Sequence, residues 1–231
     1  MASSLSPEQS DIVRWIREGS SCISDSVPGS GKTTTGISIA REIPDKRILC
    51  LTFSSSLKAE GRDRVLQLPN MSVESYNSCM LCYYGKGGCS KQEVCEILEE
   101  DTTPIKKSES FDILILDETQ DMNILFYRFV RKFVRDMGLT PLYLVIGDMY
   151  QGVFEFLGAD RRFLTLSQHL YDTTFQRVPL TRSFRLTDTM SQFLNKVLLG
   201  EDRIQTQNPT KHSVQYLIAD PYSRRLHDIL Y

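Results

Sequence analysis

The run Ser26-Val27-Pro28-Gly29-Ser30-Gly31-Lys32-Thr33-Thr34 has the residue types and spacing to cradle a chain of phosphates. Gly29 and Gly31 let the backbone curl with its N–H groups turned inward around an anion. A helix opening directly after them would aim its positive dipole end at the same place. Lys32 would reach the β- and γ-phosphates, and the Thr33 hydroxyl would coordinate magnesium. Ser26 stands where the pattern places its first glycine. A small residue fits there because the later glycines make the closest approach. The bland alternative is a mere glycine turn, but the strand-like run before it and the helix-like run after it favour the cradle.

Three more segments could complete a phosphoryl-transfer site. Ile113-Leu114-Ile115-Leu116 runs straight into Asp117-Glu118-Thr119-Gln120-Asp121. Asp117 would hold magnesium through its water shell, and Glu118 would orient and deprotonate the attacking water. Alone, two acids at a strand end read equally well as a polar turn; the cradle upstream decides for chemistry. Leu144-Val145-Ile146 leads to Gly147-Asp148-Met149-Tyr150-Gln151, where Gln151 could sense the γ-phosphate. Leu180-Thr181-Arg182-Ser183-Phe184-Arg185 carries two arginines, one of which could stabilise charge on the transferring group. By itself an arginine there is more simply a surface ion pair. The cofactors implied are ATP and Mg2+.

The elements that must position these residues are legible as an alternation of apolar runs and amphipathic segments. Cys22–Ser26, Ile48–Phe53, Ile113–Leu116 and Leu142–Ile146 read as strands. Apolar strands separated by helices predict a three-layer α/β domain, a parallel sheet covered on both faces. The spacing predicts helices over Thr33–Ile43, Gln92–Glu100, Met122–Met137 and Thr187–Leu199. In the third, Leu125, Phe126, Phe129, Val130, Phe133, Val134 and Met137 form the buried stripe. Arg128, Arg131, Lys132 and Arg135 fall opposite, which reads as a solvated face. Val214–Ala219 and Pro221–Leu230 could add one more strand and the start of one more helix.

Bulk properties set the limits. A chain of 231 residues with 41% hydrophobic and 24% charged residues has an ordinary globular composition. The net charge of -2 carries no global nucleic-acid signature, so any such contact must be a local groove. No apolar run approaches the ~18 residues that cross a membrane. The six cysteines lie outside any small secreted framework and read as reduced thiols of a cytosolic or nuclear protein. Cys79, Cys82, Cys89 and Cys95 have a spacing that could hold zinc. Met80, Leu81, Tyr83 and Tyr84 among them look like a packed helix instead, and no zinc is expected.

Taken in order, these residues resemble the first RecA-like motor domain of superfamily 1 helicases of the UvrD/Rep kind, from about Leu5 to Thr187. Leu5-Ser6-Pro7-Glu8-Gln9 resembles the Q motif, which implies that Gln9 reads the adenine edge. Ser26–Thr33 is similar to the Walker A loop, and Asp117–Asp121 has the Asp-Glu-x-Gln-Asp form of motif II. Leu51-Thr52-Phe53-Ser54 resembles motif Ia, and Ser75-Tyr76-Asn77-Ser78 lies where a Thr-x-His-Ser element usually stands. The resemblance therefore implies single-stranded DNA contacts at Thr52, Phe53, Ser54, Tyr76 and Asn77. Gly147–Phe156 resembles motif III, with Phe154 and Phe156 at the aromatic positions that stack on bases. Leu180–Arg185 resembles motif IV, which implies that Phe184 covers the adenine ring and Arg185 contacts the γ-phosphate.

The sequence departs from the family pattern mainly along the implied DNA track. Asn77 replaces the usual histidine, Leu157 an arginine, and Ser56 a lysine, with Lys58 close by. Nothing after Arg185 resembles motifs V and VI. The chain therefore reads as a RecA-like ATP-binding domain over 1–199, followed over 200–231 by a linker and the start of an incomplete second one. That second RecA-like domain would come from a longer chain or a partner. The resemblance implies an ATP-dependent DNA helicase or translocase. Two other functions fit the same residues: a nucleotide-gated interaction module, and a motor that tracks RNA.

Overall fold

The computed structural model describes residues 5–53, 62–63, 65–86, 91–106, 110–208 and 210. Six strands form one sheet: β1 (Ser21–Asp25), β2 (Ile48–Thr52), β3 (Met71–Ser75), β4 (Ile113–Leu116), β5 (Leu142–Gly147) and β6 (Phe175–Arg177). Their order is β3-β2-β4-β5-β1-β6, and each neighbouring pair is parallel. The expected α/β architecture with a parallel central sheet is what the chain adopts.

The two faces of the sheet follow from the two-residue period of a strand. Cys22, Ile48, Cys50, Ile113, Ile115, Leu144 and Ile146 point to one side. There they meet Ile12 and Ile16 of α1 (Pro7–Arg17) and Ile39 and Ala40 of α2 (Lys32–Glu42). The alternate residues Leu49, Leu51, Leu114, Leu116 and Val145 point to the other. They meet α3 (Tyr76–Tyr84), α4 (Lys91–Glu99) and α5 (Ile124–Asp136) through Tyr76, Met80, Ile97, Phe129 and Phe133. Runs such as Ile113–Leu116 are apolar throughout because both faces are covered.

Local chemistry sets the helix starts. Ser6 and Gln9 form a reciprocal capping box on α1, and Pro7 supplies its first residue. Asn123 caps α5 by accepting from Leu125 N and Phe126 N, both at 3.0 Å. The helix expected over Met122–Met137 thus begins at Ile124, and Met122 turns into the core instead.

The basic face of α5 differs from the sequence reading at one position. Lys132 is buried, not solvated: it pairs with Asp101 at 2.6 Å and Asp136 at 2.8 Å, and lies over the Tyr84 ring. A lysine one turn before Asp136 can buy its burial with these partners. β3 was not expected, although Met71, Val73 and Ser75 alternate inward as an edge strand does.

Beyond β6, the chain forms the short strand β7 (Arg182–Ser183) and α6 (Arg162–Thr165) precedes it; α7 (Asp188–Phe193) continues in wider turns through Leu199. Residues after Leu199 come back onto the domain: β8 (Gln205–Thr206) pairs in parallel with β7, and Ile204 is buried. The strand and helix anticipated over Val214–Ala219 and Pro221–Leu230 lie outside the described residues.

Candidate functional site

The carboxyl ends of β1, β4 and β5 converge on one open cleft, the place where open parallel sheets receive ligands. The loop from Ser26 to Gly31 leaves β1 and enters α2 directly. Gly29 and Gly31 hold φ of 71° and 84°, the left-handed backbone that glycine adopts without strain. Ser26 needs no such freedom. It is buried, its N–H donates to Gly147 O at 2.7 Å, and its hydroxyl lies 3.1 Å from that of Ser24. The Ser30 hydroxyl is buried with no partner among the described residues. The first N–H groups of a helix likewise lack intrahelical partners. Ser26, Val27 and Ser30 spend their N–H groups on Gly147 O, Leu180 O and Val27 O, so the donors left to face an anion are those at the start of α2.

Both glycines are also demanded by what stands behind them. A Cβ on Gly31 would come within 2.6 Å of Gln9 Nε2, and one on Gly29 within 2.5 Å of Arg185 Cβ. Gln9 donates to Ser30 O at 3.3 Å and Gly31 O at 3.4 Å, while its carbonyl oxygen accepts from Ser6 N. Its amide in this structure braces the loop. The preceding residue, Glu8, accepts from Thr181 N at 3.0 Å and from the Thr181 hydroxyl. The first turn of α1 thus clamps the loop and the 180–185 segment together. Ser183 Oγ donates to Pro28 O at 2.7 Å and Phe184 N to Gly29 O at 2.9 Å. These bonds leave Phe184 and Arg185 exposed at the rim of the cleft.

Opposite stand the acids. Lys32 Nζ is 3.3 Å from Glu118 Oε2, and the lysine side chain is only 12% exposed. Glu118 has a φ of 50°, uncommon for a residue with a Cβ. It turns its N–H onto Asp117 Oδ1 at 3.0 Å. Burial and the adjacent Glu118 carboxylate push Asp117 up to about 7, with Lys32 pulling the other way. The two acids stand side by side with Lys32 next to them and Arg185 at the rim.

Gln120 was not assigned a role from sequence, yet it joins the acids to β5. Its Nε2 donates to Glu118 Oε2 at 3.0 Å, and its Oε1 accepts from Asp148 N at 3.0 Å. This close approach explains Gly147, where a Cβ would sit 2.3 Å from Gln120 Oε1. Asp121 in turn accepts from Val153 N at 3.3 Å, fixing the segment that carries Phe154. Gln151 is exposed and lines the same cleft as Lys32, Glu118 and Arg185.

The residues expected to touch nucleic acid separate into two groups. Phe154 and Phe156 are exposed, the latter 80%, with ring centroids 6.3 Å apart. Asn77 is half-buried. Thr52 and Tyr76, by contrast, are only 2% and 1% exposed. Tyr76 is stacked on Phe126 at 4.8 Å and tilted against the half-buried Phe53 at 5.0 Å, so the core consumes it. The DNA contact at Tyr76 was implied only by the resemblance of Ser75-Tyr76-Asn77-Ser78 to a family element. Ser54, Ser56 and Lys58 lie outside the described residues.

Of the four cysteines with zinc-like spacing, Cys79 is buried, Cys82 exposed and Cys95 half-buried; Cys89 lies outside the described residues. Among the described residues no group of three or more His, Cys, Asp or Glu side chains is placed to hold a metal. No described helix is long and apolar enough to cross a membrane.

Residues 89–172, which include both acids and Gln151, match the family model of the UvrD/REP helicase N-terminal domain. No curated protein matches the sequence. Among solved structures, a Pif1 helicase studied for DNA unwinding at forked double-stranded DNA aligns with a TM-score of 0.52 at 17% identity. The alignment covers 84% of this chain and 48% of that one. The Bacteroides sp Pif1 in complex with ADP-AlF4 aligns with a TM-score of 0.49 at 17% identity, over 84% of this chain and 46% of that one. The chain thus spans about half the length of these helicases, and the first of them shares its fold.

Proposed function

We propose that this chain, a UvrD/Rep-like first RecA-like domain, binds ATP with magnesium and forms the ATP-hydrolysing half of a superfamily 1 DNA helicase or translocase. One observation carries the reading: Lys32, Glu118, Gln151 and Arg185, distant in sequence, line a single cleft around the glycine-rich loop. In this reading the loop backbone and the free Ser30 hydroxyl cradle the phosphates, and Phe184 at the rim covers the base.

Magnesium suits the residues present. Thr33 and Asp117 border one pocket together with Lys32. A hydroxyl and a carboxylate next to phosphates form the oxygen set this ion takes. Its charge would offset the two adjacent acids. Glu118, held by Gln120, takes the proton of the attacking water. Lys32, released from Glu118 by a better anion, moves its charge onto the phosphates. Gln151 and Arg185 meet the γ-phosphate from the two sides of the cleft, where arginine stabilises the charge that develops in transfer.

Phe154 and Phe156 supply a sequence-tolerant stacking surface for single-stranded DNA. Gln151 lies on the same segment, so a change at the γ-phosphate reaches the bases through a few residues of backbone. The opposite wall of the cleft belongs to a second RecA-like domain, supplied by a longer chain or a partner.

Steady-state ATPase activity with and without single-stranded DNA tests the proposal, with Glu118→Gln alongside. Turnover that rises with DNA and disappears in Glu118→Gln supports it. Equal turnover in the two proteins sinks the site assignment. ATP binding without turnover limits the chain to an incomplete motor, and greater stimulation by RNA of equal length redirects it to an RNA track.

A further inference from the structure

Arg203 belongs to none of the segments singled out for chemistry, yet it is the cation at the back of the Gln151 loop. Its side chain is 10% exposed. One guanidinium nitrogen lies 2.8 Å from Asp25 Oδ1, at the end of β1, and another 3.0 Å from Asp148 Oδ1, at the end of β5. The planar group also covers the Tyr150 ring at 4.9 Å, and the Tyr150 hydroxyl donates to Glu201 Oε1 at 3.0 Å.

Asp148 is the pivot of this arrangement. It is fully buried, and its Oδ1 accepts from Tyr150 N at 3.1 Å while its carbonyl accepts from Gln151 N at 3.0 Å. Asp25 Oδ1 meanwhile accepts from Met149 N at 3.1 Å. The two carboxylates therefore hold the backbone of Met149 and Tyr150, directly before Gln151, and Arg203 is bonded to both. The same stretch of chain reaches the other side of the cleft. Gln205 N donates to Thr181 O at 2.9 Å and the Thr206 hydroxyl to Leu186 O at 2.7 Å, flanking Arg185.

We infer that Arg203 is a positioning residue for Gln151, and that residues 201–206 form a strap joining Gln151 and Arg185 into one γ-phosphate sensor. The inference rests on the ATP-site reading above. A plain buried ion pair would hold the fold without discriminating between nucleotides; a strap behind the γ-phosphate contacts would matter only when that phosphate is present. Arginine is required because its rigid fork serves two carboxylates and an aromatic face at once, whereas lysine offers a single point charge.

The test is the affinity of the whole chain for Mg-ADP and for a non-hydrolysable Mg-ATP analogue, by calorimetry, in wild type, Arg203→Lys, Arg203→Ala and Gln151→Ala. The ratio of the two affinities measures γ-phosphate sensing. Arg203→Lys keeps a charge beside Asp148 and preserves the fold if Arg203→Ala does not. The expected result is an ADP affinity unchanged in Arg203→Lys and a preference for the analogue lowered about fivefold, to the level of Gln151→Ala. Combining the two substitutions then adds nothing further, as for residues acting as a unit. A folded Arg203→Lys with the wild-type preference overturns the inference, and so does an equal loss of both nucleotides. A wild type that binds both without preference overturns the strap but leaves the ATP site standing; a wild type that binds neither removes the ATP-site reading itself.

Discussion

Lys32 and Glu118 face each other across the cleft, ammonium nitrogen to carboxylate oxygen, at 3.3 Å. The pair joins the start of α2 to the second residue past β4, the two places where the proposed cradle and base stand. In the proposed reading, a γ-phosphate entering between them would compete with Glu118 for the lysine and free the carboxylate to face water. Lys32→Ala is expected to leave the chain folded, since the lysine is anchored in no hydrophobic cluster. It should weaken ATP binding by an order of magnitude or more, at about 1.4 kcal/mol per tenfold. Titration with a fluorescent ATP analogue measures this, and retained affinity in the variant would contradict the cradle.

Gln120 gives a separable prediction because it touches the base and β5 but lies outside the phosphate path. Gln120→Leu keeps the volume and removes both bonds. One buried N–H, that of Asp148, loses its acceptor, a cost of about 1–3 kcal/mol. Glu118 loses its orienting donor, so kcat should fall while the KM for ATP holds. A rise in KM with kcat intact would mean that Gln120 serves binding rather than the base.

Gly147 should tolerate no side chain. Gly147→Ala places a Cβ 2.3 Å from Gln120 Oε1 and 3.0 Å from Thr119 N, and the backbone atom cannot give way. Overpacking of this kind costs about 1–3 kcal/mol and should lower Tm together with turnover. Gly152→Ala is the internal control, because nothing lies within 4 Å of its added carbon. Equal melting temperatures for the two variants would show that the β5 end is not packed as described.

What could be read from the sequence follows from how local each signal is. The glycine loop and the strand-acid junction are carried by neighbouring residues, and they stand where their spacing placed them. The central strands were legible because burial on both faces makes them apolar throughout. β3 was missed because an edge strand alternates, and five residues of alternation are a weak signal. Gln120, Lys132 and Arg203 depend on partners at sequence separations of 28, 31 and 178 residues, which no window along the chain reveals. The burial of Tyr76 is of the same kind, because it comes from Phe53 and Phe126 packing on its ring from other elements.

That contrast between Tyr76 and the 154–156 segment yields the last prediction. Phe154 and Phe156 are exposed aromatic rings on a segment fixed by Asp121, with no share in the core. Phe154→Ala and Phe156→Ala should each change stability by no more than about 0.5 kcal/mol, as surface substitutions do. Each should weaken single-stranded DNA binding by about 1–3 kcal/mol, the worth of one base stacked on one ring. Tyr76→Ala should do the opposite, costing about 3–5 kcal/mol of stability through a buried cavity. Thermal unfolding and fluorescence anisotropy with a labelled oligonucleotide separate the two effects. If Tyr76→Ala is stable and loses DNA while both phenylalanine variants bind normally, the track runs along β2 and α3, and the exposed rings have another purpose.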